Sequence, residues 1–284
     1  MTVLTERKKA RFISGDTECA AWHYPGTNGA CVIMAGGGAV TKEPGTDLFA
    51  RRFHEAGFNV LAFDYRRLGE SGGQPRQVIR IREQLTDWQA AIAFAAGLPG
   101  VDPARLAIWG FSLSGGHVFR VAADNPQLAA AIAQTPNADG PAAARNAARY
   151  QKPLAMLRLA GRSTLDALGG LAGRPPLLIP LAGQPGIVAM LTTPDSIDGD
   201  RALNPGNRYP DWQQAVAGPA VGAANRAPRG ELVRLPGGHY EPFLGQHEQA
   251  IEAELSFLRR HLLDNPPPDR AAPAESAPYR GGRA

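Results

Sequence analysis

Apolar residues along this chain gather in short runs without polar alternation, within Ala30–Ala35, Asn59–Tyr65, Arg105–Trp109 and Ala129–Ala133. A run without polar alternation suits a parallel strand buried on both faces. Between these runs the period changes to that of helices, at Asp47–Ala56 (closed by Gly57), Arg80–Ala96 (closed by Gly97) and His117–Ala123. Two further short strands are expected over Ala10–Pro25, around the turn Ser14-Gly15-Asp16. Strands and helices alternating at this rhythm imply an α/β fold, with a mostly parallel twisted sheet and right-handed crossovers.

Beyond Asn137 the rhythm breaks. The stretch from Asp139 to Asp211 is rich in Pro, Gly and Ala and is expected to be an insertion, a lid over the strand ends. Within it a helix is predicted over Ala142–Leu159 and a short apolar run at Leu177–Leu181. Order is expected to return with a helix around Trp212–Arg226, a strand at Glu231–Leu235 and a helix over Gln246–Leu263. In that last helix Ile251, Leu255, Leu258 and Leu262 form one face. One domain over 1–264 follows, with a disordered tail over 265–284 that starts with three prolines.

A chain of 284 residues can bury a full core. The formal charge of +4 is small and the arginines are scattered, which argues against nucleic-acid binding. The first residues lack the apolar centre of a secretion signal and nothing runs to about 18 apolar residues, so a soluble, cytoplasmic protein without membrane association is expected. Cys19 and Cys31 lie in strand-like segments and read as small buried hydrophobes. No spacing suggests a metal site or a cofactor; the implied partner is a small-molecule substrate, and the oligomeric state is open.

The chemistry is concentrated at Gly110-Phe111-Ser112-Leu113-Ser114-Gly115-Gly116, directly after one apolar run and at the start of a helix. Small residues two before and two after the serine suit a nucleophile elbow, whose strained turn lifts the hydroxyl clear of the sheet edge. The spacing fits neither a P-loop nor a dinucleotide-binding turn. A serine needs a base, and of six histidines His239 alone stands in a glycine-flanked loop just after an expected strand. His54, His117, His247 and His261 fall in predicted helices and His23 on an edge strand. For the developing oxyanion, the Leu113 amide is one donor, and the loop Gly36-Gly37-Gly38 offers a second.

In order and spacing, Met34–Gly38, Phe63–Arg66 with Gly69–Gly72, Gly110–Gly116 and Gly237–His239 resemble the α/β-hydrolase superfamily, in its esterase and dienelactone-hydrolase-like branch near the serine peptidases that cleave after proline. The resemblance is close over residues 10 to 136 and again over 226 to 263. It implies an α/β-hydrolase fold with Ser112 as nucleophile, His239 as base, and the amides of Gly38 and Leu113 as oxyanion hole, with no cofactor or metal. Two departures stand out. The family usually has His-Gly where this chain has Gly36-Gly37. Its acid normally follows a strand between the lid and the last-but-one helix, a region shortened here between Pro210 and Glu231. Asp139 is preferred as the acid, with Asp195 as the alternative should Leu177–Leu181 replace the missing strand. Asp64 is expected to hold the Arg66–Ser71 loop, and Glu241 is too close in sequence to His239 to aim at its ring.

The expected activity is serine-dependent hydrolysis of a small carboxylic ester, lactone or thioester through an acyl-enzyme. The alternatives are an amide or peptide hydrolase on the same scaffold and a catalytically weakened or non-catalytic binding protein.

Overall fold

The computed structural model describes residues 7–137, 140–204, 206, 213–215 and 231–264. Its centre is a six-stranded sheet in the order β1-β2-β4-β3-β5-β6, formed by β1 (Lys8–Ser14), β2 (Thr17–Tyr24), β3 (Cys31–Ala35), β4 (Asn59–Phe63), β5 (Leu106–Phe111) and β6 (Ala130–Gln134). β1 pairs antiparallel with β2, β2 antiparallel with β4, and β4, β3, β5 and β6 run parallel. The three central strands β3, β4 and β5 are buried at every position, which is why their sequences are continuous apolar runs.

Helices cover both faces. α1 (Gly45–Glu55) and α7 (His247–Arg259) share a core with Val32, Met34, Trp109 and Phe111 on one side; it includes Phe49, Phe53, Ile251 and Leu258. α2 (Ile81–Ala96) and α3 (Leu113–Asp124) cover the other, packing Trp88, Ile92 and Val118 onto Ile33, Leu61 and Ile108. Each of these helices ends within four residues of its predicted bounds, and the last continues from Arg260 to Asp264 in a wider π turn.

After β6 the chain leaves the sheet. The predicted helix over Ala142–Leu159 is two helices, α4 (Gly140–Tyr150) and α5 (Pro153–Leu171), parted at Pro153, which lacks the amide to continue α4 but suits the first turn of α5. The apolar run forms β7 (Leu178–Pro180), paired antiparallel with β8 (Gln213–Ala215) in a separate two-stranded sheet. The helix expected around Trp212–Arg226 is therefore a strand at its three described residues, and its remainder lies outside the described residues. α6 (Ser196–Leu203) follows β7 in the chain.

One expected strand is absent. Glu231–Leu235 carries no strand pairing, and Leu232 and Val233 are exposed. Beyond β6 no described strand extends the sheet. An apolar-alternating segment becomes a strand only where it has an edge to bond and a layer to cover it. The tail over 265–284 lies outside the described residues.

Candidate active site

The turn between β5 and α3 is built by close packing. Ser112 has φ +56° and ψ −115°, a region costly for a residue with a side chain. Its amide donates to the Gln134 carbonyl at 3.0 Å, and its carbonyl accepts from Gly116 at 3.0 Å and Asn137 at 2.9 Å. These bonds to β6 and to the following helical turn hold the strained conformation. Gly110 must lack a side chain, because a Cβ there would lie 2.5 Å from the Ser114 carbonyl oxygen.

His239 Nε2 lies 3.0 Å from Ser112 Oγ, although 127 residues separate the two. The imidazole is seated against Phe111, with ring centroids 5.1 Å apart, and edge-on to Tyr240 at 5.2 Å. Burial lowers the pKa of His239 below its ordinary value, and the nearby Asp195 charge opposes that shift. The neutral ring, able to accept the serine proton, is thus the favoured form near pH 7.

Asp195 is the carboxylate the fold brings to this loop. Its Oδ2 accepts the Tyr240 amide at 2.8 Å, and a Cβ on Gly238 would come within 2.3 Å of the same oxygen. The carboxylate is therefore pressed onto the backbone either side of His239. Gly199 makes the approach possible: a Cβ there would lie 2.1 Å from the Tyr240 ring, so α6 can dock on Tyr240 with Asp195 at its N-terminus. Asp139 lies outside the described residues. Glu241 folds back beneath Gly237, where a Cβ would meet its side chain at 2.5 Å.

The glycine loop packs directly on the elbow. A Cβ on Gly37 would stand 2.4 Å from Ser112 Cβ and 3.0 Å from the Leu113 amide nitrogen, so no larger residue fits. Gly38 takes φ +52°, and the Val40 amide bonds back to the Gly37 carbonyl at 2.8 Å. Among the described residues neither the Gly38 nor the Leu113 amide donates a hydrogen bond.

Two partners of this loop carry no warning in the sequence beyond their small or aromatic type. Ser114, fully buried, donates to the Gly36 carbonyl; since a carbonyl only accepts, Tyr65 Oη is the donor in its 2.6 Å bond to Ser114 Oγ. Below, Asp64 Oδ1 accepts the Lys42 amide at 2.6 Å, and its Oδ2 accepts Lys42 Nζ at 2.8 Å and the Glu70 amide at 3.0 Å. Asp64 thus ties together the loop after Gly38 and the Arg66–Ser71 loop.

A cavity of about 430 Å³ adjoins the histidine, lined by Asn146, Tyr150, Thr193, Pro194, Asp195 and Gly237–His239. Asn146 and Tyr150 belong to α4, residues the sequence patterning did not single out. Cys19 and Cys31 are buried free thiols whose pKa burial pushes up to about 12. Among the described residues no group of three or more His, Cys, Asp or Glu is placed to hold a metal, and no helix is long and apolar enough to cross a membrane.

A mixed sheet covered on both faces by helices, with a serine elbow after β5, defines an α/β hydrolase. The crystal structure of the α/β hydrolase GrgF from Penicillium sp. sh18 has the same fold, with TM-score 0.68 and 21% identity over 90% of this chain and 99% of that one. The chain belongs to the α/β-hydrolase family described as serine aminopeptidase, S33, whose model matches residues 26–167. It is 33% identical to the quorum-quenching protein AidA of Acinetobacter baumannii (strain MDR-ZJ06), covering 88% of this chain and 93% of that protein. It is also 29% identical to the thiohydrolase aneE of Aspergillus aculeatus over 57% of this chain and 51% of that one, and 35% identical to the polyketide transferase ATR5 of Stachybotrys chlorohalonatus over 66% and 60%. The chain is accordingly a hydrolase-family enzyme.

Proposed function

We propose that this enzyme hydrolyses a small carboxylic ester, lactone or thioester through a covalent acyl-serine. The 3.0 Å approach of His239 Nε2 to Ser112 Oγ on a strained elbow carries the reading. Ser112 Oγ attacks the carbonyl carbon while its proton passes to His239 Nε2. The carbonyl oxygen becomes an anion facing the Gly38 and Leu113 amides, which donate to no group among the described residues and so fit an oxyanion hole. The bond to the leaving group breaks, and His239 returns the proton to the departing oxygen or sulfur. Water then enters, loses a proton to the same nitrogen and releases the acid.

Asp195 serves as the acid of the triad in this reading. Its negative charge beside the ring stabilises the imidazolium formed in both steps, and its bond to the Tyr240 amide fixes the loop that presents the ring. The segment from α4 to Thr193 acts as the lid, with Asn146 and Tyr150 facing the substrate; a cavity of about 430 Å³ suits a small acyl or alcohol group. The thiohydrolase and polyketide transferase among the relatives favour thioesters within this class. For amide cleavage, Asp198 is a poor seat for a free amine, since it is exposed and paired at 3.8 Å with Arg201.

The test is turnover of short p-nitrophenyl esters, simple lactones and acyl thioesters beside Ser112→Ala, together with labelling by a fluorophosphonate. Ser112-dependent turnover and labelling are expected. Turnover undiminished in Ser112→Ala, or a folded protein that neither labels nor turns over any of the three classes, overturns the reading; the second result would favour a binding protein.

A further inference from the structure

The helix α5 has two opposite faces. Ala155 and Asp166 are buried, and Asp166 Oδ1 accepts the Leu177 amide at 2.6 Å from the segment that follows the helix. On the other side Leu154, Leu157, Leu165, Leu168 and Leu171 form a continuous stripe, each between 57% and 88% exposed. The helical period sets Leu157, Leu168 and Leu171 nearly half a turn from Ala155 and Asp166, with Leu154 and Leu165 about a quarter to a third of a turn away at the edge of the stripe. A stripe of this kind on a soluble protein marks a surface that is covered in use.

The order of residues along the stripe points to its occupant. About a midpoint between Arg162 and Ser163 the sequence is balanced: Leu154 and Leu171 lie equally far on either side, as do Leu157 and Leu168. Nearer the midpoint, Ala160 and Gly161 mirror Leu165 and Thr164, so small residues stand where an antiparallel copy would present larger ones. A Cβ on Gly161 would meet nothing within 4 Å, so that notch is open to an incoming side chain. The five leucines together expose roughly 600 Å² per copy, hence roughly 1,200 Å² for a pair, which reaches the lower end of what a specific interface buries.

We propose that the chain forms a two-fold symmetric dimer in which α5 packs antiparallel against α5 of a second copy, Leu157 of each against Leu168 of the other. The contact is isologous, as a two-fold axis requires. Arg158 and Arg162 flank the stripe and are exposed, so two copies bring like charges together and added salt tightens the pair. An anionic vesicle or an acidic protein on the same face would show the opposite salt dependence.

The test uses the full chain. Light scattering after size exclusion is expected to give a dimer at tens of micromolar, strengthened by salt, and Leu157→Glu combined with Leu168→Glu is expected to give a folded monomer whose melting temperature matches that of wild type diluted until it is monomeric. Under oxidation, an equal mixture of Leu157→Cys and Leu168→Cys proteins should form a disulfide-linked pair that neither forms alone; the native thiols are buried and stay out of the reaction. Four results overturn the proposal. They are a wild-type monomer at every salt concentration, a dimer untouched by the double substitution, linkage of either cysteine variant with itself as efficient as in the mixture, and a monomer that binds anionic vesicles and is released by salt. A double variant that melts below wild type diluted to its monomeric form also overturns it, by assigning the stripe to another segment of the same chain.

Discussion

Asp195 accepts the Tyr240 amide at 2.8 Å and lies flat against Gly238, so a carboxylate 44 residues before His239 in sequence borders both peptide units beside the imidazole. This contact depends on two missing side chains, at Gly199 and Gly238. The consequence is testable at each partner.

Asp195→Asn keeps the size and the hydrogen bond to Tyr240 but removes the charge that stabilises the imidazolium. Turnover number should fall by about 10²–10⁴, with Michaelis constant and melting temperature little altered. Steady-state kinetics with a p-nitrophenyl ester measure this, and unchanged turnover would remove Asp195 from the triad.

The acidic limb of the rate profile should report His239. Burial lowers its pKa, so the neutral, competent ring persists below the ordinary value near 6.5 and the rate falls only as pH drops through the lower, folded value. Asp195 acts in the opposite sense, favouring the charged ring. In Asp195→Asn the limb should therefore move further toward acid. A shift toward alkali would contradict the electrostatic arrangement.

Ser112→Ala and His239→Ala should each abolish most of the activity, and the double variant should be little worse than either alone. The two groups act as one unit through a single proton transfer. Additive losses in a double-mutant cycle would mean that the 3.0 Å contact is not the one used.

Ser114→Ala cuts the link from Tyr65 to the Gly36 carbonyl, so both buried groups lose this partner. Stability should drop by about 1–3 kcal/mol. Because the glycine loop loses its brace, turnover should drop as well while fluorophosphonate labelling still occurs, only more slowly. A melting curve and labelling rates separate these two effects.

Asp64→Asn should be the most damaging substitution outside the site. Lys42 and Asp64 are both buried, and removal of the Asp64 charge leaves Lys42 with Glu70, whose side chain is 42% exposed, and the face of the Trp22 ring. A loss of about 3–5 kcal/mol is expected by denaturant titration. Glu70 is held at a pKa of about 2, first by its bond from Lys42 Nζ. Its contribution is therefore present above its ordinary carboxylate value and lost as pH falls toward 2. Glu70→Gln should flatten the stability profile over that acid range.

The central sheet, the helices on its faces and the elbow were legible in the chain because local rules suffice for them. A strand buried on both faces must be apolar throughout, as at Cys31–Ala35 and Asn59–Phe63, and a serine forced to positive φ must have small neighbours such as Gly110. His239 could be picked out because a lone histidine among glycines follows the last apolar alternation. What local sequence could not decide was anything requiring a distant partner. Glu231–Leu235 reads as a strand yet has no pairing, since the sheet stops at β6 among the described residues. Sequence alone prefers Asp139 to Asp195 as the acid; only the docking of α6 on Tyr240 brings Asp195 to the loop, while Asp139 lies outside the described residues. The same holds for Ser114, whose use in bracing the Gly36 carbonyl arises 78 residues away in the chain. Residue type and spacing thus determined the elements of the central sheet, its covering helices and which groups can react; long-range packing decided which segments beyond β6 pair and which of those groups meet, because contact between remote segments depends on surfaces that no single stretch of sequence contains.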